Sequence, residues 1–241
     1  PLLRKKTRRP VLTPFVRHRA PPKQNFSLIP LLCALCQLLT AGGRLKIRSE
    51  RMAGLPPPFL VVGTHPAFMD FYVTPLALFP SRANYISELE GFDNFGEWIY
   101  RQAGCLGTRK FVNDIALVKN IKRVTDRGDI LVLYPEARYA NVGTSCALPD
   151  SLGKLAKLLD VPVVALNMHG NYLQSPIWNL RKRRGIPLRT TISQLFTREE
   201  LRAASVEEIN SAIMEALTYD EYAWQRDNKI RVAEPWRAEG L

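Results

Sequence analysis

The first 49 residues of this 241-residue chain contain no acidic side chain. The same stretch holds Arg4, Lys5, Lys6, Arg8, Arg9, Arg17, Arg19, Lys23, Arg44, Lys46 and Arg48. These cations carry nearly all of the formal net charge of +12, so the rest of the chain is close to neutral. Cysteine is also scarce. Cys33, Cys36, Cys105 and Cys146 are too few for a disulfide-stapled chain, and a reducing compartment is expected. Cys33 and Cys36 form a lone CxxC inside an apolar run. With no second Cys/His pair near, the pattern reads as buried thiols, and no metal site is expected. There are three histidines, His18, His65 and His169. No GxSxG occurs, which argues against a serine hydrolase elbow. Internal repeats and low-complexity tracts are lacking too, which excludes a solenoid.

The localised basicity describes an arm that seeks polyanions, either nucleic acid or anionic lipid headgroups. Few aromatics are interleaved with the cations of residues 1–23, which weakens the single-strand-binding version. The arm runs into "FSLIPLLCALCQLLTAGG", Phe26–Gly43, which carries no charge. Its densest part, Leu28 to Leu39, falls short of the ~20 residues that a spanning helix needs. A basic stretch before a short apolar helix suits a segment lying in a membrane interface. The same order of features fits a signal sequence, although the basic region is long for one. His18 sits in the arm and is expected to face solvent. The domain reading is an arm and apolar membrane-interface helix over 1–45, then one catalytic domain over 46–241.

Five strands are expected at Phe59–Thr64, Asn84–Ser87, Asp129–Tyr134, Val161–Asn167 and Leu188–Phe196. The first, third and fourth are continuous apolar runs, as in a sheet covered on both faces. The fifth alternates and suits an edge strand. "RSERMAGLPPPF" reads as a connector before the first strand. Helical patterns lie between the strands. Asn113 or Asp114 caps a helix with Ile115, Val118, Ile121 and Val124 on its apolar face, ended by Gly128. Ser151 opens a helix with Leu152, Leu155, Leu158 and Leu159 on one face. Ser205 and Glu208 make a capping box before Ile209, Ile213 and Leu217. Strands alternating with helices indicate an α/β fold, a mostly parallel sheet flanked by helices.

In open α/β sheets, reacting groups gather at the carboxyl ends of strands. Three expected strand ends carry polar residues: Thr64-His65, Glu136-Ala137-Arg138, and Asn167 to Asn171 with His169. His65 is followed by Pro66, and Asp70 stands five positions on. An imidazole accepts a proton near neutral pH, and a carboxylate on its other nitrogen sets the tautomer. Residues five apart on an ideal helix sit about 140° apart. The two meet only if His65 lies at a strand-to-helix bend and Asp70 on the first turn. Pro66 supports that bend, because proline favours the first helical position. Spacing alone leaves a second reading open, a packed histidine with a helix-start aspartate. "RKRRG", Arg181 to Arg184 and Gly185, is a cationic patch suited to lipid headgroups or phosphates, or a solvated loop.

Four segments now stand in order: "THPAFMD", "GCLGTRKF", "LYPEARY" and "VPVVALNMHG". They resemble the four blocks of the glycerolipid acyltransferases, from about Lys46 to Glu215. The resemblance implies transfer of a fatty acyl group from a thioester, acyl-CoA or acyl-carrier protein, to a hydroxyl of lysophosphatidic acid or a similar glycerol-phosphate lipid. No bound cofactor is implied. It makes His65 the general base and Asp70 the residue that orients it. It places a basic residue, Arg109 or its neighbour Lys110, on the acceptor phosphate; the guanidinium fork suits phosphate better. It places Glu136 and Arg138 in substrate binding. The third block departs from the usual PEGTR: Ala137 replaces glycine, Arg138 comes one place early, and Tyr139 stands where arginine is usual. In the fourth block Ala165 replaces a second proline. The expected partners are a lysophospholipid, an acyl thioester and an anionic membrane surface, with no nucleic acid. The expected location is the cytoplasmic face of a membrane, peripheral or monotopic. Two rivals stand beside this: acyl transfer onto a different acceptor lipid, and a catalytically inactive basic protein that binds membrane or nucleic acid.

Overall fold

The computed structural model describes residues 20–88, 96–108, 114–178 and 184–232. Among these, seven strands form one sheet: β1 (Lys46–Glu50), β2 (Leu60–Gly63), β3 (Ala83–Glu88), β4 (Cys105–Thr108), β5 (Ile130–Leu133), β6 (Val163–His169) and β7 (Arg189–Phe196). Their order is β1-β7-β6-β2-β5-β3-β4. The run β6-β2-β5-β3-β4 is parallel throughout. β7 turns antiparallel to β6, and β1 lies parallel to β7. The mostly parallel sheet expected from the sequence is therefore present.

Helices cover both faces. They are α1 (Ile29–Thr40), α2 (Asp70–Leu78), α3 (Glu97–Gln102), α4 (Ile115–Asp126), α5 (Ser151–Leu159), α6 (Asn171–Gln174), α7 (Arg198–Ala203), α8 (Val206–Leu217) and α9 (Glu221–Asp227). The apolar runs are continuous because alternate residues serve different cores. Leu60, Val62, Leu131, Leu133, Val163 and Ala165 pack under α4, α5, α7 and α8. Val61, Ile130, Val132, Val164, Leu166 and Met168 pack under α2 on the other face.

Several expectations are corrected. β7 is not an edge strand, since β1 covers its outer side. The supposed connector begins inside β1, whose residues are almost all exposed, so no apolar signal marks it. β4, the short "CLGT" run, also went unread. The two helix faces shift as well. Residues 115, 118, 121 and 124 advance by three, so each step drifts about 60° around the helix. Ile121 and Val124 are buried, but Ile115 is 71% exposed. The face is completed by Asn120 and Thr125 instead. By the same drift Leu158 lies outside while Gly153 and Ala156 face inward. The caps fare better: Asp114 accepts from Leu117 N–H, and the Ser205–Glu208 box forms in both directions.

The apolar segment is helical without a break from Phe26 to Gly43, 18 residues with mean hydropathy 1.7. By length and composition alone that is enough to cross a membrane, longer than its 12-residue α-helical core. Ile29, Cys33, Cys36 and Thr40 are buried at helical spacing, and Cys33 Sγ reaches the Pro75 carbonyl of α2. The CxxC cysteines are free, and burial pushes the Cys36 thiol up to about 11. The opposite face bares Leu31, Leu35 and Leu38. Both ends of the helix are tied to the sheet region. At one end Gln24 Oε1 accepts from Ala83 N–H, and Asn25 N–H donates to Gln102 O. At the other, Leu188 N–H donates to Gly43 O and Lys46 N–H to Leu188 O. The arm before residue 20, with His18, lies outside the described residues.

Candidate active site

β2 ends at Gly63 and α2 begins at Asp70, so residues 64–69 form the bend. Pro66 lies in that bend, as expected, but it does not take the first helical position, which falls to Asp70. Asp70 opens the helix itself, and its carboxylate folds back over the turn. Asp70 Oδ2 accepts from Ala67 N–H at 2.9 Å and lies 3.1 Å from His65 Nδ1. The bend thus brings together two side chains that a continuous helix would hold apart. Asp70 is fully buried and His65 is 7% exposed.

A third group joins them from β5. The turn Tyr134–Ala137 closes with Ala137 N–H donating to Tyr134 O. It sets Glu136 Oε1 at 3.4 Å from His65 N–H. Glu136 Oε2 is buried with no hydrogen-bond partner among the described residues. Ala137 has φ +53°, the left-handed conformation that explains why glycine is usual at this place. Arg138 is exposed, and its Nη2 lies 3.7 Å from Cys146 Sγ. Arg109 and Lys110 lie outside the described residues, as do Arg181 to Arg183. Arg184 is not part of a cationic surface patch. It is buried, donating through its backbone to Gln174 Oε1 and through Nη1 to Gln174 O.

Sequence reasoning missed several neighbours. The His65 ring stacks on Tyr134, with centroids 4.3 Å apart, and Tyr139 leans against it at 4.4 Å. Gly63 makes room, since a Cβ there would sit 3.0 Å from the Tyr134 ring. Tyr134 Oη pairs with Thr74 Oγ1, which donates to Asp70 O. Asn171, 101 residues on, donates from Nδ2 to Asp70 Oδ1 at 2.6 Å. No local pattern marks Asn171. Only its place at an expected strand end hinted at it.

Burial dominates the electrostatics. It pushes the carboxyls of Asp70 and Glu136 above their usual range, while His65, Asn171 and Ala67 pull Asp70 partly back. Tyr134, Tyr139 and Tyr219 are pushed up as well, chiefly by burial. Chemically, Nδ1 is committed to Asp70. Nε2 is the nitrogen left to exchange a proton. His169 stands apart, held by Glu221 on α9 and stacked on Trp224.

A family model described as Acyltransferase matches residues 45–169, more than half of the chain. The chain belongs to the acyltransferase family. Within that family, the fold is similar to a solved structure, the 1-acyl-sn-glycerophosphate acyltransferase PlsC from Thermotoga maritima. The two share 16% identity with a TM-score of 0.61, over 85% of this chain and 81% of that one. Comparison with curated proteins gives no significant match. The family match spans the bend, β5 and β6 and stops at His169, two residues before Asn171.

Proposed function

We propose that this protein transfers a fatty acyl group from an acyl thioester to a hydroxyl of lysophosphatidic acid or a closely similar lysophospholipid. The observation that carries this is the His65–Asp70 pair in the bend, with Glu136 beside it. His65 Nε2 takes the hydroxyl proton as the oxygen attacks the thioester carbonyl. The ester C–O bond forms, the C–S bond breaks, and the thiolate takes the proton back from the imidazolium. Asp70 stabilises that imidazolium. The free oxygen of Glu136 suits a glycerol hydroxyl. Arg138, with Arg109 or Lys110, holds the phosphate and so orients the hydroxyl, an effect that in well-oriented reactions reaches about 7–11 kcal/mol. The donor is acyl-CoA or acyl-carrier protein, and no bound cofactor enters.

The lipid comes from a membrane on which the protein lies. A helix fastened to the sheet region at both ends lies alongside the body with its bare leucines outward. That supports monotopic attachment over spanning. The cations near it favour an anionic, cytoplasmic leaflet. A groove of about 480 Å³ runs between α1, α2 and β1, lined by Pro30, Cys33, Ala34, Leu45, Leu76 and Phe79 with the polar Gln37 and Thr40 among them. Its Leu45 also packs with Ala67 and Met69 of the bend. This suits a lipid chain whose head reaches His65.

The test is thioester consumption with lysophosphatidic acid, comparing wild type with His65→Ala. Loss of turnover in the variant alone is expected. Equal rates in the two proteins refute the mechanism, and turnover only with a phosphate-free acceptor corrects the substrate. Binding to anionic vesicles is expected to weaken on removal of residues 1–19, and further when Leu31, Leu35 and Leu38 become serine.

A further inference from the structure

Each oxygen of Asp70 has its own donors. Oδ2 faces His65 Nδ1 and Ala67 N–H, and Oδ1 faces only Asn171 Nδ2 among the described residues. Asn171 is fully buried. A carboxylate only accepts, so the side of the Asn171 amide toward it is the NH₂. Two fixed oxygens leave the carboxylate no freedom to rotate.

Asn171 is itself held in place. Gly170 has φ +87°, and a Cβ there would lie 2.2 Å from the Pro187 carbonyl oxygen, so this turn admits only glycine. Gly170 N–H donates to Glu221 Oε2 at 2.7 Å, and Glu221 Oε1 lies 3.0 Å from His169 Nδ1. A line of contacts therefore runs from α9 through Glu221, Gly170 and Asn171 to Asp70 and His65. Asn171 and Glu221 both lie beyond the stretch that the family model matches.

We propose that Asn171 is a positioning residue for the reaction. It holds Asp70 as an oriented carboxylate on His65 Nδ1, so that the neutral ring keeps its proton there and presents the Nε2 lone pair to the acceptor hydroxyl. This rests on the reading of His65 as the base. The titratable groups that share the field of Asp70 are Tyr134, Glu136, Tyr139, Tyr219 and Glu221, and none of them contacts Oδ1.

The experiment uses the full chain and Asn171→Leu. It records imidazole ¹⁵N shifts of His65 across pH, thermal melting, and kcat and KM with lysophosphatidic acid and an acyl-CoA. Wild type is expected to hold the Nδ1–H tautomer. The variant is expected to populate Nε2–H and to lose about tenfold or more in kcat with KM little changed, as a misplaced tautomer does elsewhere. Asn171→Ser, smaller and still polar, gives the same readout with an intermediate loss if the leucine variant does not fold. A folded variant that keeps the Nδ1–H tautomer overturns the proposal, whatever its stability or rate. If wild type shows no turnover, the functional reading fails. The tautomer still decides the role of Asn171.

Discussion

Two histidine–carboxylate pairs stand at the ends of neighbouring parallel strands. His65 Nδ1 is 3.1 Å from Asp70, and His169 Nδ1 is 3.0 Å from Glu221. Both carboxylates are fully buried. The first pair is local, five residues across one bend, with an unpartnered Glu136 oxygen beside it. The second joins β6 to α9 across 52 residues, and its carboxylate is shared with Gly170 N–H. Near-identical pair geometry thus serves two purposes. The first is the pair to which the proposed mechanism gives the hydroxyl proton, and the other fastens a distant helix to a strand end.

The largest expected effect separates the pairs outright. Asp70→Asn is expected to lower kcat/KM by about 10²–10⁴-fold. Glu221→Gln is expected to lower it by about tenfold, the low end for a partner one contact further out, since it acts only through Asn171. Comparable losses from both would erase the distinction, and steady-state kinetics on the two proteins decides it.

Stability should reverse the ranking. Glu221→Gln removes an acceptor from a buried pair, which costs about 1–3 kcal/mol. His169→Ala leaves that carboxylate buried with Gly170 alone and forfeits the Trp224 stack, for about 3 kcal/mol. Urea denaturation midpoints measure both. Variants as stable as wild type would show that α9 does not need this pair.

The pH dependence follows in the same scale. Burial raises the folded-state carboxyl of Glu221 above its usual value of 4.5. Between the unfolded and folded values the native state binds more protons, so stability falls as pH rises through that window. Below it, the contribution is fully present. Glu221→Gln is expected to flatten this slope above about pH 4.5. An unchanged slope in urea titrations would assign it to Asp70 or Glu136.

The smallest effect touches the turn that presents Glu136. Ala137→Gly relieves a left-handed alanine and is expected to add up to about 1 kcal/mol. A loss of stability on that change would mean that the alanine methyl packs usefully there.

Much of this architecture is legible in the residues. The apolar runs at 59–64, 129–134 and 161–167 require a sheet covered on both faces, and the two cores take alternate residues from them. β1 escaped notice because its side chains are mostly charged or polar and nearly all exposed, its pairing supplied by the backbone of β7. Ile115 misled because a three-residue repeat does not follow a helix face. At the site, the order of the four blocks pointed to His65, Asp70 and Glu136, and the structure brings those three together. Arg138 is exposed and contacts Cys146, while Arg109 and Lys110 lie outside the described residues.

By itself the sequence determined what short-range physics controls. Strand periodicity, helix caps and the five-residue reach from His65 to Asp70 each depend on neighbours along the chain. The tertiary structure alone decided that Asn171 meets Asp70 across 101 residues and that Glu221 secures the turn before it. It also decided that the apolar helix is tied down at both ends. Those contacts depend on which strand lies beside which. Strand order in a sheet is settled by packing many elements at once, and no local pattern records it.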